Sequence, residues 1–320
     1  MSLRDRVDPA SREPLEQLLA ALPGGFNAIA DIEQRRATVR AMTAATTAEL
    51  PPDNRVVTEN RMVPGPAEAP DVPVRIYRPA GIEGELPGLL FIHGGGMVIS
   101  DIDGEDLAAT RLCAEVGAVV VSTGYRKAPE NPYPAQLEDC YASLIWMVKS
   151  AAELGIDIDR VGVYGGSAGG NLTIAVSMLA RDKGFPTLRF MMPIYPMVDD
   201  RNETPSSHQI TDIGIWDRSA NIEAWSWFLA GQPADGYAAP ARAEDLAGLP
   251  PAFIDVGDLD LFRDEDIAFA QRLVQAGVPT EFHLYPGAYH GSETFAPAAA
   301  LSQQIWATRI RALRAALHAR

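Results

Sequence analysis

The chain has 320 residues, 47% of them hydrophobic, and its 27 Lys and Arg against 42 Asp and Glu leave a net charge of −15. That is enough apolar material for a substantial core in one large α/β domain with inserted elements. The negative surplus argues against nucleic acid and anionic membranes as partners, because the summed field repels both.

The first residues carry scattered charges without the apolar core of a signal peptide, and no later run approaches a membrane span. The expectation is a soluble, cytoplasmic protein with no stable membrane insertion. Cys113 and Cys140 are the only cysteines and lack both CxxC spacing and a His cluster, which points to two buried thiols rather than a zinc site or a disulfide scaffold.

In chain order, Leu15, Leu18, Leu19 and Leu22 recur at helical spacing up to the breaker Leu22-Pro23-Gly24-Gly25, and Ile29, Ile32, Val39 and Met42 outline a second amphipathic helix. Residues 1–50 therefore read as a helical N-terminal unit ahead of a main domain spanning 51–320. Around Arg55 to Val63 and Val74 to Tyr77 apolar and polar residues alternate, as in half-exposed antiparallel strands at the edge of a sheet. Beyond them come short apolar runs, Leu89 to Ile92, Ala118 to Val121, Val161 to Tyr164, Phe190 to Tyr195, Phe253 to Val256 and Phe282 to Tyr285. Strands buried on both faces read this way. The intervening stretches, roughly 103 to 116, 137 to 153, 169 to 182, 264 to 276 and 296 to 318, suit crossover helices and hence a mostly parallel sheet. The long interval between Tyr195 and Phe253 breaks the alternation and holds a helical stripe of Ile222, Trp225 and Leu229. With the N-terminal helices, this insertion at about 200–240 is expected to form a cap over the carboxyl ends of the strands, with Trp216, Ile222, Trp225 and Phe228 closing a pocket.

Between the run Val161 to Tyr164 and a helix face starting at Leu172 stands Gly165-Gly166-Ser167-Ala168-Gly169-Gly170, a G-x-S-x-G turn in the strand-turn-helix order a nucleophile elbow requires. No GKS or GKT ending follows, which disfavours a phosphate loop. His93-Gly94-Gly95-Gly96 follows another buried run, and its unshielded N–H groups, those of Gly94, Gly95 and Gly96, suit an oxyanion together with the N–H of Ala168. Of five histidines, His290 alone lies in a Pro/Gly-rich loop just after the last strand, where the order Ser, Asp, His puts the base. Asp255, Asp258, Asp260, Asp264 and Asp266 crowd the stretch where the acid belongs; Asp264 suits a helix first turn, and Asp258 and Asp260 lie in the loop after the strand.

From His93 to Gly291 the chain resembles the bacterial hormone-sensitive lipase family of α/β-hydrolases. The resemblance is carried by His93 to Gly96, by Tyr125-Arg126-Lys127-Ala128-Pro129-Glu130-Asn131-Pro132-Tyr133-Pro134-Ala135, by Gly165 to Asn171, and by Asp260-Leu261-Phe262-Arg263-Asp264-Glu265, which is similar to the family's DPLRDE segment. It implies an α/β-hydrolase fold, with an eight-stranded, mostly parallel sheet, helices on both faces and a helical cap, and it selects Asp260 as the triad acid. The chain departs from the family at Gly166, where Asp or Thr is usual, and at Lys127 and Asn131, where Leu and His are usual.

The implied activity is that of a carboxylesterase acting on short to medium acyl esters, with Ser167 as nucleophile, His290 as base, Asp260 as its orienter and an acyl-enzyme intermediate. That mechanism calls for no metal and no organic cofactor. Its partner is a small ester, and a homo-oligomer is compatible with the sequence. An amide or carbamate hydrolase or peptidase on the same triad, and a non-enzymatic small-ligand receptor, are the alternatives; receptors on this scaffold typically lose the base, whereas His290 is in place.

Overall fold

The structure is a computed structural model that describes residues 3–48 and 50–319. Asp8 starts the first helix by accepting hydrogen bonds from the N–H groups of Ala10 and Ser11, and Pro9 occupies a first-turn position whose N–H needs no partner. Helices α1 (Pro9–Ala21) and α2 (Ile32–Ala48) precede the first strand, as the two stripes predict, with Leu15, Leu18 and Leu19 in α1 and Ile32, Val39 and Met42 in α2, while Ile29 lies before α2.

The main domain follows as β1 (Val56–Val63), β2 (Val72–Pro79), β3 (Leu86–Ile92), α3 (Asp106–Leu112), β4 (Val119–Thr123), α4 (Ala135–Lys149), α5 (Ala151–Leu154), β5 (Ile156–Gly166), α6 (Ala168–Lys183) and β6 (Phe190–Ile194). After the insertion it resumes with β7 (Ala252–Leu259), α9 (Arg263–Gln275), β8 (Thr280–Tyr289), α10 (Ser292–Phe295) and α11 (Ala300–His318). The insertion holds α7 (Pro205–Gln209) and α8 (Arg218–Leu229).

The eight strands form one sheet in the order β1-β2-β4-β3-β5-β6-β7-β8. Strand β2 is antiparallel to both neighbours, and every pair from β4 through β3 to β8 is parallel. Period-two geometry sends alternate side chains of β3 into two cores. Leu90 and Ile92 pack with Leu144 of α4 and Leu172 and Val176 of α6, while Leu89 and Phe91 pack with Leu112 of α3 and Leu313 and Leu317 of α11. Burying each such side chain contributes about 1.5–3 kcal/mol.

The strands differ from the sequence reading in two ways. Of the two strands expected at an edge, β1 is one, with only Val63 buried and Val57 and Met62 more than 60% exposed, whereas β2 pairs with β4 as well and lies inside the sheet. Strands β7 and β8 run beyond their apolar runs, because their backbones keep pairing through an irregularity at Gly257. A Cβ there would sit 2.2 Å from the Ala288 oxygen, so glycine is required. Asp258 thus ends up inside β7 rather than in a loop, and His290 follows directly on the last residue of β8.

The N-terminal segment packs against the insertion. Arg35 of α2 pairs with Glu223 of α8 at 2.6 Å and lies over the Trp227 ring; Arg4 donates to the Asp212 carbonyl; and the Leu19 side chain lies against Gly214.

Candidate active site

The loops after β3, β5, β7 and β8 converge at the carboxyl ends of the parallel strands. Between β5 and α6, Ser167 holds φ +58° and ψ −120°, a conformation that L side chains rarely adopt. The glycines around it permit the close approach of backbones: a Cβ on Gly169 would lie 2.1 Å from the Ile92 oxygen, and one on Gly165 would lie 2.3 Å from the Gly169 oxygen. Asn171, in the first turn of α6, anchors the turn by donating to the carbonyls of Met197 and Ala238 at 2.8 and 2.9 Å.

His290 Nε2 is 3.0 Å from Ser167 Oγ, and His290 Nδ1 is 2.8 Å from Asp260 Oδ2. Asp260 is fully buried, and its other oxygen accepts from the Phe262 N–H at 3.0 Å. The imidazole is boxed in by aromatic rings, with Phe262 and Tyr195 edge-on at 5.2 and 4.8 Å and Trp216 at 6.4 Å. Three of the other aspartates are engaged elsewhere. Asp258 binds Arg6 and the Gly287 N–H, both at 2.6 Å. Asp255 pairs with Arg309, and Asp264 accepts from the Ser206 N–H, joining α7 to α9. Asp266 is buried in the first turn of α9.

The glycine loop after β3 lies over the serine, since a Cβ on Gly94 would be 3.5 Å from the Ser167 Cβ. Gly95 and Gly96 adopt φ +97° and +61°. Their N–H groups and that of Ala168, at the open start of α6, donate to no protein acceptor among the described residues. The Gly94 N–H does not belong with them. It donates to Glu105 Oε1 at 2.7 Å, which removes Gly94 from the expected donors. Burial pushes the Glu105 carboxyl up to about 7, and burial pushes the His93 imidazole down to about 4. His93 is therefore neutral at physiological pH, stacked on Tyr125 at 4.2 Å, and Tyr125 donates to the His93 carbonyl.

Sequence reasoning missed the support beneath His290. Arg309 of α11, 1% exposed, binds Asp255 of β7 at 2.7 and 3.0 Å and Glu293 of α10 at 2.6 Å. Tyr195 donates to the same Glu293 oxygen at 2.7 Å. The one visible signal was a charge, Asp255, inside the apolar run Phe253-Ile254-Asp255-Val256. Tyr195 also accounts for the departure at Gly166: a Cβ there would be 3.1 Å from the Tyr195 ring, which occupies the side-chain space. Lys127 and Asn131 stay in supporting roles, Lys127 Nζ donating to the Ser100 carbonyl at 2.6 Å. Cys113 and Cys140 are buried free thiols. Among the described residues no group of three His, Cys, Asp or Glu side chains is placed to hold a metal ion.

A mostly parallel sheet carrying a serine on a strained strand-to-helix turn defines the α/β-hydrolase class. A family model described as the alpha/beta hydrolase fold matches residues 89–294, and the chain belongs to that family, in keeping with its resemblance to the bacterial hormone-sensitive lipases. The carboxylesterase NlhH of Mycobacterium tuberculosis is 37% identical over 99% of this chain and 98% of its own length. Esterase LipI of the same organism is 35% identical over 97% and 96%. Among solved structures, a bacterial heroin esterase superposes with a TM-score of 0.92 at 37% identity, covering 99% of both chains. Esterase LipW from Mycobacterium marinum does so with a TM-score of 0.83 at 34% identity, covering 99% of this chain and 98% of its own.

Proposed function

We propose that this chain is a carboxylesterase that hydrolyses short to medium acyl esters through an acyl-enzyme on Ser167. The observation that carries this reading is the unbroken hydrogen-bond line from Ser167 Oγ through His290 to the buried Asp260. His290 Nε2 takes the Ser167 proton as Oγ attacks the ester carbonyl, and Asp260 holds the tautomer and stabilises the imidazolium. The carbonyl oxygen, now negative, is met by the N–H groups of Gly95, Gly96 and Ala168. Collapse expels the alcohol, which receives the proton from His290, and water activated by the same imidazole then releases the acid and regenerates Ser167.

Residues 1–50 and about 200–240 act in this proposal as one cap over the domain spanning 51–320, supported by the Arg35–Glu223 pair and by the Trp216 ring beside His290. Ile222 is left out of the pocket wall, because its side chain is 46% exposed. No helix among the described residues is long and apolar enough to cross a membrane. We take the substrate to be a small dissolved ester met in the cytoplasm. A fluorophosphonate probe followed by a chromogenic ester and amide panel tests the reading. Labelling at Ser167 with ester turnover is expected; labelling without turnover of any ester or amide would instead indicate a ligand receptor.

A further inference from the structure

We propose that Arg36, on the N-terminal helix α2, is a positioning residue for the oxyanion loop. This rests on the reading of Gly95 and Gly96 as oxyanion donors. Arg36 is 7% exposed although it lies on a surface helix. Its guanidinium reaches across to the segments that follow β3 and β4: Nε donates to the Val98 carbonyl at 2.8 Å and Nη2 to the Ala128 carbonyl at 2.7 Å. Glu130 binds Nη1 and Nη2 at 3.0 and 2.8 Å, and Glu33 takes a further bond from Nη1. The planar fork of arginine can hold several acceptors at fixed angles, which a lysine cannot.

The loop that Arg36 grips needs such a hold. Met97 and Ser100 both have positive φ, +64° and +67°, without being glycine. Each such residue is strained and persists only where its surroundings over-determine it. The carbonyls of residues 97, 98 and 100 are each tied from outside the loop, by the Ala128 N–H, by Arg36 and by Lys127 respectively. The Gly95 carbonyl in turn receives the N–H groups of Val98 and Ile99, so the tether at Val98 is one hydrogen bond away from the donor glycines. Of the three ties, the one from Arg36 comes from another part of the fold, 62 positions away. Arg36 therefore ties the placement of Gly95 and Gly96 to α2 through its own bonds to the Val98 and Ala128 carbonyls.

Loss of this tie is expected to misplace the donors toward the transition state more than it disturbs substrate binding, since a shift of about 1 Å can cost up to 100-fold. The experiment compares the full-length protein with Arg36→Met, Arg36→Lys, Lys127→Met, Arg35→Gln and Ser167→Ala. Readouts are kcat and KM for p-nitrophenyl acetate, the Ki of a trifluoromethyl ketone that adds to the serine, and Tm. Assays run well below the lowest Tm. Arg36→Met is expected to lower kcat at least tenfold with KM changed less than threefold, and to raise the Ki by a factor close to the loss in kcat. Arg36→Lys and Lys127→Met should show the same pattern more weakly, and serve if Arg36→Met does not fold. Arg35→Gln removes an equally buried charge from the same helix without touching the loop, so it should lower Tm without weakening the inhibitor. The proposal is overturned if folded Arg36 variants keep kcat and Ki within twofold, or if Arg35→Gln weakens the inhibitor as much. Retained activity in Ser167→Ala would instead sink the esterase reading on which the proposal stands.

Discussion

The carboxylates of Asp258 and Asp260, two positions apart, face different partners: Asp260 Oδ2 is 2.8 Å from His290 Nδ1, whereas Asp258 binds Arg6 and the Gly287 N–H. Asp260→Asn should lower kcat on the order of 10³- to 10⁴-fold by favouring the wrong imidazole tautomer. Asp258→Asn should cost less than about tenfold and show mainly as a lower Tm, since it weakens a latch on the N-terminal segment. Steady-state kinetics of both variants, ranked the other way, would move the acid to Asp258.

Ser167→Ala and His290→Ala should each remove roughly 10⁴-fold or more of kcat, with little further loss in the double variant, because triad members act as a unit. Retention of a tenth of the activity by either single variant would break the assignment.

The parts of this site that were legible in the sequence are those whose chemistry forces a local pattern. A serine at positive φ needs small neighbours, and a loop offering bare N–H groups needs glycines, so Gly165 to Gly170 and Gly94 to Gly96 announce themselves. Long-range partnership leaves no such trace. Nothing near Gly94 in the sequence marks the bond from its N–H to Glu105, which removed one expected donor. Arg36 and Arg309 look like ordinary helix-surface arginines until the fold buries them. Alternation marked β1 and β2 alike as edge strands, and β1 is one; that β2 lies inside the sheet was hidden, because alternation does not record whether a further strand pairs alongside.

The glycines of the elbow make a graded prediction. Gly169→Ala drives a methyl group into the backbone oxygens of Ile92 and His93, at 2.1 and 2.7 Å, and should cost at least about 3 kcal/mol or prevent folding. Gly166→Ala meets only the Tyr195 ring and the Ile194 side chain at 3.1 and 3.2 Å. A shift of a few tenths of an ångström relieves that, so the cost should stay within about 1 kcal/mol, partly offset by unfolded-state entropy. Urea unfolding of both variants checks the order, and equal losses would contradict it.

The raised carboxyl of Glu105 predicts a pH-dependent stability. Burial moves its folded value from the ordinary one up to about 7. Between those values the unfolded chain releases the proton while the folded protein keeps it, so stability falls as pH rises through that window and the full penalty stands above it. Glu105→Gln keeps an acceptor for the Gly94 N–H and has no proton to lose. Relative to the wild type it should gain ~1–3 kcal/mol on going from pH 5 to pH 8. Unfolding free energies for the two proteins that differ by the same amount at both pH values would contradict the protonated acid.

Trp216 sets the expected limit on acyl length. Its ring carbon Cη2 lies only 2.3 Å from where a Cβ on Gly96 would sit, so the indole rests directly on the glycine loop after β3, and its centroid is 6.4 Å from that of His290. The ring is not free to swing. Its Nε1–H donates to Asn221 Oδ1 at 3.1 Å, and the Asn221 amide donates to Asn202 Oδ1 at 2.6 Å, all three residues being buried. An acyl chain that fits beside this wall gains about 0.8 kcal/mol per methylene, roughly fourfold in kcat/KM, while one that runs into it meets strain of about 1–3 kcal/mol. Preference among p-nitrophenyl esters should therefore rise and then turn over, with acyl groups of about two to eight carbons cleaved best and those near sixteen carbons poorly. Trp216→Ala should move the optimum to longer chains by opening the wall, at some cost in stability. The measurement is kcat/KM across the series for both proteins at constant detergent. A monotonic rise to sixteen carbons in the wild type, or an unchanged optimum in Trp216→Ala, would mean that the acyl group lies elsewhere and that the indole is only part of the cap's own packing.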